Sequence, residues 1–175
     1  QPKTKELLDI LFKKVPAGLG STGKIHLNTK QLDEVLIDGA QWAVEKGYGR
    51  EEDLEFIEEK GKMPNANPDA VSPKAKQRQF KQVGTLGSGN HYLEVQYVAE
   101  IYDEQVANVY GLKKDGVVIS IHTGSRALGH QIGTDYLKEL AKTTRKYNIK
   151  IKDKDLVCAP IKSKEGERYF SAVCA

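Results

Sequence analysis

The 175-residue sequence predicts an α+β fold, a mixed sheet with surrounding helices, and three features carry that expectation. Up to Val83 the apolar residues recur at helical spacing, and no strand-like run interrupts them. Beyond Val83 the character changes, with two short β-rich segments, Tyr92 to Val98 and Gly116 to His122. Helices and strands then follow in irregular order, without the repeated strand–helix–strand units that build a parallel sheet.

The first element is an amphipathic helix through Leu7, Leu8, Leu11, Phe12 and Val15, ended by Pro16, which cannot donate to the helical ladder. Residues 17–23 are rich in glycine but lack the Lys-Ser/Thr ending of a phosphate-binding loop, so they read as a flexible turn. A second helix opens after Asn28 or Thr29, runs through Leu32, Val35, Leu36, Ala40, Ala43 and Val44, and stops at Gly47. A short charged helix is expected from Glu51 to Lys60, ended by Gly61. A Pro/Asn loop from Met63 leads to Ser72-Pro73, a cap and first-turn proline for a helix to about Phe80.

Tyr92-Leu93-Glu94-Val95-Gln96-Tyr97-Val98 reads as a strand. Val117-Val118-Ile119-Ser120-Ile121 reads as a fully buried one because its apolar run is nearly continuous. A short helix lies between them near Gln105 to Tyr110. A longer helix is expected from Gly129 to Tyr147, and a third strand near Leu156 to Ala159.

Composition narrows the function classes. Apolar residues at 39% and charged residues at 29% describe a globular chain, and 27 basic against 24 acidic residues leave a net charge of +3. That balance permits a phosphate-bearing partner without demanding one. No apolar run approaches the roughly 18 residues that cross a bilayer. Two cysteines, Cys158 and Cys174, are too few for a disulfide scaffold, so a cytoplasmic setting is expected; one bridge between them stays open. The start at Gln1-Pro2-Lys3-Thr4 has no initiator Met and no signal-peptide core. The end at Val173-Cys174-Ala175 falls in a helical pattern without a stop, so the sequence reads as an internal segment of a longer protein.

Two segments concentrate the chemistry: residues 84–94, Gly-Thr-Leu-Gly-Ser-Gly-Asn-His-Tyr-Leu-Glu, and residues 122–131, His-Thr-Gly-Ser-Arg-Ala-Leu-Gly-His-Gln. They hold three of the four histidines and several glycines, which let a backbone approach a ligand closely. His122 ends a strand just before a Gly-Ser loop, a common place for binding groups. Neutral imidazole is a frequent ligand of first-row divalent metals, so His91 and His122 are candidate ligands of one cluster. Taken alone, each is more often a hydrogen-bonded structural histidine than a ligand. Two ligands are half a site, since a catalytic metal takes about three. If residues 90–94 are extended, His91 and Leu93 share one face while Asn90, Tyr92 and Glu94 share the other. A helical turn there would instead bring His91 and Glu94 together. Arg126 is a candidate phosphate clamp or a surface residue, and His26 and His130 read as structural or exposed.

The run Leu86-Gly87-Ser88-Gly89-Asn90-His91-Tyr92-Leu93-Glu94 closely resembles a signature of the RtcB family of RNA-splicing ligases, and residues 122–131 resemble its second signature. The likeness extends to Asp38-Gly39-Ala40-Gln41-Trp42-Ala43 and to residues 166–172, and so spans nearly the whole chain. Tyr92 stands where the family usually has Phe, and Ala127 where it usually has Gly, which makes an unusual backbone angle at residue 127 costly.

The resemblance implies that residues 1–175 are an internal part of a single catalytic domain. The whole enzyme would join RNA ends carrying a 2′,3′-cyclic phosphate or 3′-phosphate to 5′-hydroxyl ends, using GTP, a guanylylated histidine and two Mn²⁺ ions. It implies His91 and His122 as metal ligands and Asn90, His91, Tyr92, Leu93 and Glu94 as the nucleotide site. The guanylylated histidine and the remaining metal ligands would lie outside this segment, leaving it inactive alone. The implied partners are RNA (tRNA exon halves or broken ends), GTP and an archease-type helper protein. The ligand types alone would equally accept zinc. A nucleotide- or RNA-binding module without catalysis, and a metal-dependent phosphohydrolase, are the competing classes.

Overall fold

The computed structural model describes residues 2–175, which form two compact units. One comprises residues 2–23 and 84–124. The other comprises residues 24–83 and 125–175. The element order is α1 (Pro2–Lys14), α2 (Thr29–Glu45), α3 (Pro73–Gln79), β1 (Tyr92–Tyr97), α4 (Glu104–Val109), β2 (Val117–His122), α5 (Arg126–Lys146) and α6 (Lys164–Cys174), with short 3-10 turns between α2 and α3. The α+β expectation holds. No helix among the described residues is long and apolar enough to cross a membrane.

The second unit owns the hydrophobic core. Leu32, Leu36 and Trp42 of α2 pack with Ala70, Val71 and Ala75, with Leu128, Ile132 and Tyr136 of α5, and with Ala172 of α6. Local signals start α2 and α3 where the sequence places them: Asn28 and Gln31 form a reciprocal capping box on α2, and Ser72 caps α3 with Pro73 in its first turn. Ser163 caps α6, a start not assigned from the sequence. Tyr136 is buried with its hydroxyl donating to the Ala70 carbonyl at 2.7 Å, and burial pushes its phenol pKa up.

Gly39 explains one family-like segment. Its φ of 55° kinks α2, and any Cβ there would overlap the Gly61 carbonyl oxygen. Lys62 closes the same contact by pairing with Asp38 at 2.6 Å. The expected charged helix over 51–60 is instead two 3-10 turns, Glu51–Phe56 and Glu58–Gly61. Glu59 and Lys60 adopt left-handed backbone, which turns the chain so that Gly61 can lie against Ala40.

Two further expectations fail. Residues 156–159 form no strand, because the Thr144 hydroxyl of α5 holds Cys158 through both its N–H (2.9 Å) and its C=O (2.8 Å), in place of a ladder. β2 is not buried: Val117 is 72% exposed, Ile119 66% and Ile121 61%. Its only ladder partner among the described residues is β1, antiparallel, and two strands cannot cover both of their own faces. Both cysteines are free thiols.

In the first unit the register pairs Leu93 with Ile121, Val95 with Ile119 and Tyr97 with Val117. Directly paired residues share a face, so one side of the hairpin is apolar. The other side carries Tyr92 opposite His122, Glu94 opposite Ser120 and Gln96 opposite Val118.

A candidate two-histidine site

Residues 88–90 turn the chain into β1, so His91 stands one position ahead of the strand and the two-residue alternation does not fix its direction. Residues 92–97 are extended, which selects the strand reading over a helical turn. The His91 and His122 rings meet edge to face with centroids 5.6 Å apart. Tyr92, directly across the ladder from His122, meets the same ring edge-on at 5.6 Å, and its hydroxyl lies 3.3 Å from Ser120 Oγ.

One hydrogen bond fixes the chemistry of His91. Its Nδ1 lies 2.9 Å from the Ser88 carbonyl oxygen. A carbonyl only accepts, so Nδ1 carries the proton, and in the neutral ring the lone pair belongs to Nε2. This is the arrangement in which metal-binding histidines are usually held.

One glycine clears the space: a Cβ at Gly87 would overlap the ring at Nδ1, whereas a Cβ at Gly124 would only reach contact distance of Nε2, at 3.4 Å. Gly87 therefore admits the imidazole itself. The residue 17–20 loop adds support: Gly18 N–H donates to the Gly87 carbonyl at 3.1 Å, and Leu86 N–H to the Pro16 carbonyl at 2.9 Å. That loop, expected to be merely flexible, is bonded to the entry of the first segment.

The remaining candidates are placed less centrally. Glu94 shares the His122 face and accepts from Gln96 Nε2 at 2.6 Å. Asn90 is in the turn before β1. Leu93 faces the opposite side, where with Leu8, Leu11 and Phe12 of α1 and with Val15 just beyond it, it lines an apolar groove of about 400 Å³. Among the described residues no group of three or more His, Cys, Asp or Glu side chains could hold a metal ion, so the two imidazoles do not make a complete ligand set by themselves.

Arg126 belongs to the other unit, where it opens α5 with a φ of 58°, strained backbone for a non-glycine residue. The strain falls there and not at Ala127. Ser125 gives this helix no side-chain cap; instead Gln82 Oε1 accepts from Ala127 N–H at 3.1 Å and Gln79 Oε1 from Leu128 N–H at 3.3 Å. These acceptors let the helix begin three residues before the expected Gly129. No local pattern announces them, because the glutamines lie more than 40 residues upstream. Below them, Asp135 accepts from Ser72 Oγ at 2.6 Å and from Gln131 Nε2 at 2.7 Å, and Gln131 Oε1 accepts from Arg78 at 2.8 Å. The Ser72 hydroxyl, then Gln131, hold the Asp135 pKa below the usual carboxylate value.

A family model described as tRNA-splicing ligase RtcB matches residues 1–175. Among curated proteins, the "tRNA-splicing ligase RtcB" of Thermococcus kodakarensis is 57% identical over the whole chain, which covers 36% of that protein. Proteins of the same name from Pyrococcus furiosus (56% identical over all of the chain, 18% of that protein) and Methanococcus maripaludis (56% over 98% of the chain, 36% of that protein) are similarly close. The chain thus spans about a third of these relatives' length or less.

Proposed function

Because the chain belongs to the RtcB family, we propose that it is part of an RNA ligase joining 2′,3′-cyclic phosphate or 3′-phosphate ends to 5′-hydroxyl ends through a guanylylated histidine. Residues 1–175 are assigned to a single catalytic domain of that enzyme, acting in the cytoplasm on tRNA exon halves or broken RNA, with GTP as co-substrate and an archease-type helper as partner. The name of the relatives and the paired histidines support this reading.

The observation that carries it is the His91–His122 pair: rings 5.6 Å apart, with His91 fixed so that Nε2 holds the lone pair. Both imidazoles would hold Mn²⁺, with the ligands outside this segment completing the set. A bound divalent metal supplies charge neutralisation at the phosphate oxygens during guanylyl transfer. The Ser88 carbonyl orients His91, Gly87 admits its ring, and Tyr92 packs against His122. Asn90 and Glu94 would hydrogen-bond the nucleotide beside His91 and Tyr92, while Leu93 supports the strand from its apolar side. Arg126 would grip an RNA phosphate through its planar fork.

The test is to give the full-length protein Mn²⁺, GTP and two RNA pieces, one ending in a 3′-phosphate and one beginning with a 5′-hydroxyl. Joined RNA that requires both GTP and Mn²⁺ is expected. Phosphate release without joining would identify a hydrolase, and RNA binding without turnover a binding module; either overturns the proposal.

A further inference from the structure

The outer face of α5 presents Lys138, Lys142 and Arg145 in one exposed stripe, since positions i, i+4 and i+7 of a helix lie nearly in line. The neighbouring charges of the same helix are already paired with α6. Glu139 takes Arg168 at 3.2 Å, and Lys146 takes Glu165 at 2.7 Å. One turn earlier, the Asp135 carboxylate accepts from Ser72 and Gln131, and Lys138 acts on it through its charge without a direct ion-pair contact. Among the described residues no ion pair reaches any member of the stripe.

Like charges one turn apart destabilise a helix, and only Arg145, in the last turn, is favoured by the helix dipole. The stripe runs about 10 Å along the axis at about 1.5 Å per residue. A single charged group would meet only part of it, whereas a polymer with one negative charge per residue can meet all three cations together.

We propose that Lys138, Lys142 and Arg145 form a docking surface for the phosphate backbone of an RNA strand. The surface rests on the RNA-ligase reading for the identity of its polyanion. Contacts to phosphate oxygens carry no sequence information, so the surface contributes affinity without sequence preference. Three contacts of this kind set a definite salt dependence, because each neutralised phosphate of a single strand contributes about 0.7 to the slope of log Kd against log salt.

The experiment uses the full-length protein and a fluorescein-labelled single-stranded RNA with hydroxyls at both ends, which cannot be joined. Anisotropy gives Kd across a salt series. Changing Lys138→Gln, Lys142→Gln and Arg145→Gln together should lower the slope by about 2 and weaken binding at low salt, while formation of the protein–GMP adduct from GTP and Mn²⁺ is unchanged. A charge-keeping variant, Lys138→Arg with Lys142→Arg, should bind as the unaltered protein does. An unchanged slope in the triple variant overturns the proposal, as does loss of the GMP adduct together with RNA binding, which would assign the residues to the fold. If the unaltered protein binds RNA with a slope that the triple variant lowers, yet forms no GMP adduct, the ligase reading fails and the docking surface stands.

Discussion

The Nδ1 of His91 lies 2.9 Å from the Ser88 carbonyl oxygen, and that single bond directs the lone pair of the neutral ring to Nε2. Ser88 sits between Gly87 and Gly89 in the turn that precedes β1. The backbone of the signature itself thus sets the tautomer of its histidine. The neighbouring glycine is needed for a steric reason, since its missing side chain is the space the ring occupies.

Gly87→Ala should therefore act on metal affinity while sparing the fold. The new methyl would overlap the ring at Nδ1, so the ring must turn and the Ser88 bond must break. Loss of an orienting partner typically costs about 10–100-fold in metal affinity. Manganese titration of the full-length variant should show a loss of that size with an unchanged circular-dichroism spectrum. Unaltered affinity would mean that His91 is not held as described.

Gln79→Leu should destabilise the protein by about 1–3 kcal/mol, the usual cost of leaving a buried donor without an acceptor. Gln79 is 7% exposed, and Leu128, whose N–H it receives, is buried. Gln79→Glu keeps an acceptor and places negative charge at a helix N-terminus, so it should cost less. Urea unfolding of the two variants gives the comparison, and equal losses would contradict the capping role.

The helices were largely legible in the sequence, the site only in part. Asn28 and Ser72 start α2 and α3 from side chains beside each helix's own first turn, and such local bonds can be read from spacing. The start of α5 could not be read that way, because Gln79 and Gln82 reach it from α3 and the segment after it. The exposure of β2 was hidden for a related reason. An apolar run reports what a strand can bury, and Val117, Ile119 and Ile121 lie uncovered in this chain. His91 and His122 stood out because glycine-rich segments surround them. The contact between the two rings depends on the register Tyr92↔His122, which no local pattern fixes.

Asp135→Asn should change the acid side of the stability profile. The Ser72 hydroxyl, then Gln131, lower the pKa of this carboxylate in the folded protein. A group with a depressed folded pKa contributes stability that is present above its unfolded pKa and lost as pH falls through the folded value. The unaltered protein should thus exceed the variant in stability near pH 7, and the gap should close below about pH 4. A gap independent of pH would contradict the assignment.

Glu94→Ala tests the nucleotide side of the site. Glu94 lies on the His122 face, opposite Ser120. A hydrogen bond from a charged group contributes about 1.5–3 kcal/mol, so labelled GMP transfer to the full-length protein should fall about ten-fold or more, with no loss of fold. Undiminished transfer would remove Glu94 from the nucleotide site.

Whether His91 and His122 bind one manganese cluster is decided by pulsed electron paramagnetic resonance of the Mn²⁺-loaded full-length protein. Imidazole nitrogen bound to Mn²⁺ modulates the electron spin echo. His91→Ala and His122→Ala, measured singly on folded protein, should each reduce that modulation and weaken Mn²⁺ binding, because each removes one of the two rings now 5.6 Å apart. Full nitrogen modulation and full affinity in either variant would contradict the shared site.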